Sequence, residues 1–385
     1  MLENEIGRRA ALGALRPHEA ALMANEVKSG RRKGTAVTIH EVARRAGVSP
    51  MTVSRVINGK SNVHEATRAA VLRVVRDLNY TPNPAARSLA GAETTRVALI
   101  YSNPSASYLS ELLVGALDGA HRKGVQLVLD RWGDLKPAGE RAAARKLARS
   151  ISGVILPPPL CESKTISAEF VAAKIPVVAV AAGPFRGDVS CVRIDDFAAS
   201  KEMTEHLIRA GHTRIGFIKG HPNQTASERR FAGFRAAMEE AGLAVDPTLV
   251  QQGYFTYRSG LEAAEALLAK KRPPTAIFAS NDDMAAAVIS VAHRKGFEVP
   301  RDLSVVGFDD TPTATTVWPE LTTIRQPISA MAEVALELLL RDMRRCKDGE
   351  PPLAVEHVVA HELIVRDSVA PPRNEARTPA RASQA

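Results

Sequence analysis

TIHEVARRAGVSPMTVSRVING, residues 38–59, spells two short helices around a glycine turn. Thr38 and Glu41 have capping-box spacing, which starts the first helix near Ile39. Val42, Ala43 and Ala46 give it a small apolar face, and Gly47 supplies the turn. Ser49 is placed to cap the second helix and Pro50 to be its first residue, where a missing N–H costs nothing. Val53, Val56 and Ile57 face inward, which leaves Pro50, Met51, Thr52 and Arg55 outward. Asn58-Gly59 closes the helix in the left-handed conformation. A helix-turn-helix needs this arrangement, because its second helix lies in a DNA major groove while the first braces it.

A generic helical hairpin inside a larger core is the plainer alternative, and the following residues weigh against it. A third amphipathic helix is expected over 65–78, and NYTPNP then breaks the chain. Residues 85–91 read as one more short helix, with Asn83 as cap, Pro84 at its first position and Gly91 as terminator. The runs TVSRVIN (52–58) and LNYTPNPAARSLAG (78–91) closely resemble the DNA-binding headpiece and hinge of the lactose-repressor/galactose-repressor (LacI/GalR) family. The resemblance extends from Val37 to about Arg366.

Charge supports contact with DNA independently. Residues 1–92 hold fifteen Lys and Arg against seven Asp and Glu, so +8 of the chain's +9 lies in the segment with the helix-turn-helix. Phosphate contact requires such a concentration.

The chain has 385 residues, 45% of them hydrophobic, enough for a large core and more than one domain. Cys161, Cys191 and Cys346 are scattered, without metal-ligand spacing, and read as reduced cytosolic thiols. No metal or cofactor is expected. No apolar run is long enough to span a bilayer, and the opening MLENEIGRRAALGAL is a poor secretory signal. The expected location is the cytoplasm, beside the chromosome. Residues 1–36 read as a flexible extension, with translation from Met23 or later as the alternative. The Pro-, Ala- and Arg-rich tail, 367–385, is expected to be disordered. It lacks the leucine heptads through which a coiled coil makes tetramers, so a homodimer is expected.

From Arg96 onward strands alternate with helices. Apolar runs fall at 97–100, 125–129, 153–156, 176–180, 215–218, 276–279 and 303–306, with amphipathic stretches such as 108–123, 199–210, 228–241 and 284–295 between them. This predicts an α/β protein of parallel sheets covered on both faces, with ligands at the carboxyl ends of the strands. The resemblance implies a headpiece (37–82), a hinge helix and linker (83–95), and a two-lobed periplasmic-binding-protein-like core (96–366). By that analogy lobe one covers about 96–210 and 326–355, lobe two about 211–325 and 356–366, and the effector sits between them.

Polar residues gather where strands end. Asn281-Asp282-Asp283 follows TAIFAS, Asp309-Asp310 follows SVVGF, Asp195-Asp196 follows CVRI, and Arg230 opens a helix in ERRFAGF. Sugars need bidentate carboxylates, amides and guanidinium groups, with an aromatic face for the ring. The resemblance places Arg230, Asn281 and Asp309 at effector-contacting positions and Phe255, in GYFTY, at the stacking position. Asp195 is expected to line the cleft, and Asn103 or Tyr108 to close its other side. Asp282 reads rather as a helix cap or interlobe support, His212 and Arg214 in GHTRIGF as structural, and Met331, Leu336 and Leu339 as helix core or dimer surface.

Paired carboxylates also suit glycoside hydrolysis, but adjacent residues at one strand end point in different directions. No Gly-rich phosphate loop, nucleophile elbow or HExxH occurs. A free-standing periplasmic binding protein would need a signal peptide and no helix-turn-helix.

The reading is therefore a transcriptional regulator and not an enzyme: a dimer on a palindromic operator, released by a sugar inducer. A regulator that needs a purine or other co-repressor is the alternative. Arg55 is the candidate for base reading, bidentate to guanine. Pro50 and Met51 offer apolar contact, and Ser49, Thr52, Ser54 and Asn58 phosphate or backbone contact. The resemblance implies a hinge helix starting at Asn83 and placing Leu89 as a minor-groove wedge at a central CG step. Under two turns long, that helix would form only when DNA and the paired lobes hold it, which makes it the switch.

Overall fold

The computed structural model describes residues 37–57, 63–78, 80, 95–133, 136–185 and 187–373. The described residues form two units, one within 37–80 and one within 95–373. Asn58, Asn83 and Leu89, the hinge, the N-terminal extension and residues 374–385 lie outside the described residues. The expectation of a disordered tail from 367 is corrected for its first residues: Ser368 is buried, donates to Val305 O and accepts from Thr322 N, which ties 367–370 to lobe two.

The first unit holds α1 (Ile39–Ala46), α2 (Pro50–Ile57) and α3 (Glu65–Asp77). Thr38 Oγ1 accepts from Glu41 N at 3.4 Å, but the reciprocal half of the expected capping box is absent, because the Glu41 carboxylate turns to Arg44. Gly47 takes φ 67°, which lets α1 end sharply and Val48 N reach back to Ala43 O. Ser49 Oγ caps α2 by accepting from Thr52 N at 3.1 Å. Val42, Ala43, Val53, Val56 and Val71 are buried at the meeting of the three helices, with Ile39, Ile57, Leu78 and Tyr80 around them.

The second unit contains two parallel sheets. The sheet of lobe one runs β11-β5-β4-β3-β1-β2, from β1 (Arg96–Tyr101), β2 (Gln126–Arg131), β3 (Gly153–Leu156), β4 (Val177–Val180), β5 (Ser190–Arg193) and β11 (Glu356–Val358). Helices α4 (Ala106–Lys123), α5 (Pro137–Ala148), α6 (Lys164–Ala172) and α12 (Ile328–Lys347) belong with it. Leu99 stands opposite both Leu129 and Ile155, which fixes the register at the centre. Met331, Leu336 and Leu339 of α12 are core. Helix α4 meets α12 at Gly115, where a Cβ would come within 2.3 Å of Ser329 O.

Lobe two runs β7-β6-β8-β9, from β6 (Ile215–Lys219), β7 (Val250–Gln252), β8 (Ala276–Ala279) and β9 (Ser304–Val306). It carries α7 (Asp196–Arg209), α8 (Thr225–Glu240), α9 (Tyr257–Leu268), α10 (Asp282–Arg294) and α11 (Thr313–Thr316). Phe217 packs within 4.8–5.3 Å of Phe231, Phe234 and Phe278. His212 is structural, as expected, bonding Thr275, Ser304 and the Ala370 carbonyl.

The expected lobe boundaries need two corrections. Helix α7 packs on α8, so the chain leaves lobe one near Asp195 rather than near 210. Strand β11 pairs with β5, and Val359 N still reaches Arg193 O, so residues 356–359 stay in lobe one. The other two crossings run side by side as the antiparallel pair β10 (Thr323–Arg325) and β12 (Glu362–Ile364).

Candidate functional site

The carboxyl ends of the strands in both sheets converge on one narrow cavity of about 30 Å³, lined mostly by buried residues. Six residues marked in the sequence line it: Asn103 and Tyr108 from lobe one, and Arg230, Phe255, Asn281 and Asp309 from lobe two. Sites for drug-sized molecules occupy about 300–1,000 Å³, so a ligand the size of a sugar needs the lobes to part before it enters.

Arg230 is the centre of the site. Its Nε donates to Asp196 Oδ1 at 2.8 Å and its Nη1 to Ser280 O at 2.6 Å, with Asp309 Oδ1 at 3.5 Å. The guanidinium carbon lies 3.6 Å from the centroid of the Phe308 ring. Asp309 sits at φ 114°, a strained backbone for a non-glycine residue, and Gln326 Nε2 donates to its Oδ1 at 2.5 Å. Burial pushes Asp309 up to about 7, against the pull of Arg230 and Gln326, while Asp283 and Asp196 add to the rise. Burial, and then the Asp309 charge, raises Asp282 as well.

Asp282 is a structural tie, accepting from Thr311 N, Thr311 Oγ1 and Thr323 Oγ1. The helix cap is its neighbour Asn281, whose Oδ1 accepts from Met284 N while its Nδ2 donates to Phe255 O at 3.1 Å. Asn281 therefore holds both α10 and the Phe255 turn. Phe255 itself has φ 60°, and its ring lies against Gly220.

Asp195 is the misplaced expectation. It does not line the cavity: its Oδ1 caps α7 by accepting from Phe197 N and Ala198 N, and Arg229 Nη2 lies 3.0 Å away. Its neighbour Asp196 turns inward to Arg230 instead. Sequence reasoning also missed Ser105, Gln224 and Gln326, all on the cavity wall.

Tyr108 Oη, Gln224 Nε2 and Gln326 Oε1 are buried and have no hydrogen-bond partner among the described residues. Each belongs to a residue that lines the cavity. Buried polar groups are rarely left unpaired, so these three are open to partners from a molecule or water in the cavity. Together they offer a hydroxyl, an amide donor and an amide acceptor. Burial also raises the Tyr108 phenol, so it stays protonated and able to donate.

The Asp309 environment gives a pH prediction. The folded chain holds this proton to about pH 7, whereas an unfolded Asp loses it near 3.9. Its contribution to stability is full below about pH 4 and is lost as pH rises through 7. Asp309→Asn is expected to gain on the unsubstituted protein between pH 4 and 8, by on the order of 1–4 kcal/mol. Urea unfolding at pH 4, 6 and 8 checks this, and a gap that stays constant would count against it.

In the first unit, the outward side of α2 carries Met51, 64% exposed, beside exposed Arg55. Pro50, Thr52 and Ser54 are half-buried, and exposed Ser49 shares a 2.9 Å hydroxyl contact with Thr52. Among the described residues Arg55 has no ion-pair partner. A cation, an apolar side chain and hydroxyl groups thus share one helix face.

A larger cavity, about 680 Å³, lies at the opposite, amino-terminal ends of β4 and β5. No residue marked in the sequence as an effector contact lines it, and its buried carboxylate, Asp342, is held by Arg341 and Ser190. Among the described residues no group of His, Cys, Asp and Glu suits a metal ion, and no helix is long and apolar enough to cross a membrane.

Comparison with known proteins agrees with both units. Residues 38–83 match the family model "Bacterial regulatory proteins, lacI family", and residues 204–369 match "Periplasmic binding protein-like domain". The chain is 36% identical over 337 residues to the HTH-type transcriptional regulator DegA of Bacillus subtilis (strain 168), spanning 87% of this chain and 98% of that one. Among solved structures it is similar to the transcriptional regulator CelR–cellobiose complex, with TM-score 0.64 and 33% identity, over 86% of this chain and 99% of that one. It is also similar to the lac repressor dimer bound to operator and the anti-inducer ONPF, with TM-score 0.68 and 26% identity, over 87% and 100%.

Proposed function

The chain belongs to the LacI family of DNA-binding transcriptional regulators, and from that premise we propose that it is a repressor released from a palindromic operator by a sugar. The observation that carries the sugar is the trio of unpartnered polar atoms of Tyr108, Gln224 and Gln326 around a narrow cavity. A molecule with several hydroxyl groups satisfies a donor and an acceptor at once, and Phe255 adds an apolar face. Arg230 is already paired with Asp196, which favours a neutral ligand over a carboxylate or phosphate. The CelR structure, with cellobiose bound, is consistent with this choice. The carboxylates of the site serve in binding and support, without turnover.

In this reading two chains form a homodimer in the cytoplasm, beside the chromosome. Each α2 enters a major groove, and the effector cleft sets the geometry of the pair. Arg55 reads a guanine, Met51 and Pro50 touch a thymine methyl, and Ser49, Thr52 and Ser54 meet the backbone. Asn58 meets the backbone with them, and Asn83 and Leu89 keep the hinge roles that the family resemblance implies.

Arg55→Ala is expected to relax discrimination at one base pair per half-site, at about 1–3 kcal/mol, and to leave non-specific binding largely intact. Competition binding against operators varied one base pair at a time measures this. A uniform loss across all operators would assign Arg55 to phosphate instead.

The proposal as a whole is tested by capturing fragmented genomic DNA on the purified protein, sequencing it, and adding single sugars or purine bases. Recovery of a palindrome and its release by a sugar is the expected result. Capture that requires a purine would replace the inducer with a co-repressor.

A further inference from the structure

Two carboxylates, one from each lobe, reach across the cleft beside the ligand cavity. Asp283 of α10, in lobe two, accepts from Ser105 Oγ and from Ser107 Oγ, both at 2.8 Å, at the start of α4 in lobe one. Thr313 Oγ1 lies 3.4 Å from the same carboxylate and 3.1 Å from Ser107 Oγ. Glu162, in the short turn after β3 in lobe one, reaches the other way. Its Oε1 accepts from Thr225 N, the first residue of α8, at 3.3 Å, and from Gly183 N at 3.2 Å.

The second contact has a clear electrostatic purpose. Helix α8 carries Arg230, and its own cap residue, Gln224, makes no side-chain cap bond. The anion at this helix N-terminus is supplied by the opposite lobe, where the helix dipole favours negative charge. The lobes are also in close contact here, since a Cβ on Gly183 would stand 2.8 Å from Thr225 Oγ1. Ser105 joins the other contact to the ligand site: it lines the cavity, caps α4 through Tyr108 N, and donates to Asp283.

We propose that Asp283 and Glu162 are positioning residues that form a reciprocal latch, holding the cleft closed from both lobes and setting the ratio of closed to open chains that an effector meets. A cavity of about 30 Å³ lies between the two contacts, so entry of an effector requires both to release. The latch does not select the ligand; it sets the fraction of chains able to receive one, and apparent affinity falls by that fraction. Its regulatory meaning rests on the reading of the cleft as the effector site.

The test needs no effector. Spin labels are placed at Lys146→Cys on α5 and Lys271→Cys just after α9, in a Cys346→Ser background, because Lys146 and Lys271 are exposed and Cys161 and Cys191 are buried. Pulsed dipolar spectroscopy then reads the distance between the lobes. The expected result is one dominant short distance, with the open-to-closed ratio rising about tenfold in Asp283→Ala and in Glu162→Ala, as loss of bonds to a charged group implies. Asp283→Asn, which keeps one acceptor oxygen, is expected to restore part of the closed population. Ser107→Ala loosens the same contact from the other lobe and carries the test if Asp283→Ala does not fold. Distances unchanged in folded variants, or an open cleft in the unsubstituted chain, overturn the latch. A chain that closes as expected, yet responds to no sugar or base, keeps the latch and loses the effector reading.

Discussion

Arg230→Ala is expected to destabilise the core by about 3–5 kcal/mol, the cost of leaving buried charge without its partner. The substitution strands Asp196, 5% exposed, whose carboxylate receives Arg230 Nε at 2.8 Å, and it removes the cation that holds Asp309 down. It also frees the Ser280 carbonyl at the end of β8 and removes the cation over the Phe308 ring. Arg230→Lys should recover little, since an ammonium group neither stacks on the ring nor donates along two directions from one plane. Asp309 can escape by keeping its proton, so the loss should shrink as pH falls below about 7. Urea unfolding at two pH values measures both effects, and release of captured operator by the active sugar should disappear. A variant as stable as its parent at pH 8 would mean that Asp196 finds another partner and that Arg230 is not the centre of the site.

Gly220→Ala is expected to disable the site from behind. A Cβ at this position would stand 1.9 Å from Cζ of Phe255, 2.3 Å from Cε1 and 2.5 Å from Cε2. Phe255 is 6% exposed and sits at φ 60°, so its ring has little room to swing. Overpacking of this kind costs about 1–3 kcal/mol. The Phe255 carbonyl is also the partner of Asn281 Nδ2, so a displaced turn disturbs the α10 cap as well. The expected phenotype is a folded, DNA-competent protein that no longer responds to its sugar. Phe255→Ala in the Gly220→Ala background should recover stability but not response. An unimpaired response in Gly220→Ala alone would show that the aromatic face is not needed.

The elements legible in the sequence are those whose signals are local. Ser49 before Pro50, and Gly47 four residues after Ala43, fix α2 and the turn by capping and by backbone freedom alone. The central strands show as unbroken apolar runs because helices cover both faces. Strands such as β7 (VQQ) and β11 (EHV) carry no such run; they are strands because a neighbour offers a ladder, a fact absent from three residues read alone. The boundary near 356 failed for the same reason, since a partner strand 163 positions away, as for Arg193 and Glu356, leaves no local trace. At the site, six of seven expected effector residues came together because strand ends converge. The exception shows the limit: Asp195 and Asp196 are indistinguishable in sequence, and only the turn of the backbone decides which one meets Arg230. Gln224 and Gln326 gave no signal, because an amide becomes informative only when its burial and its missing partner are known.

The threefold crossing between lobes bears on how the protein is made. Helix α12 and strand β11 complete lobe one, yet they begin 232 and 260 residues after β1 does. At typical elongation rates of 5–20 residues per second, this is roughly 10–50 s on the ribosome. Through that interval Leu112 and Ala116 of α4, and the face of the sheet that α12 covers, stay without their partner while most of lobe two emerges. Neither lobe is a contiguous stretch of chain, so neither can be finished first and set aside. Newly made chains should therefore depend on holding chaperones more than two tandem domains of equal size would, and truncation before Ile328 should leave an aggregating fragment rather than a working half.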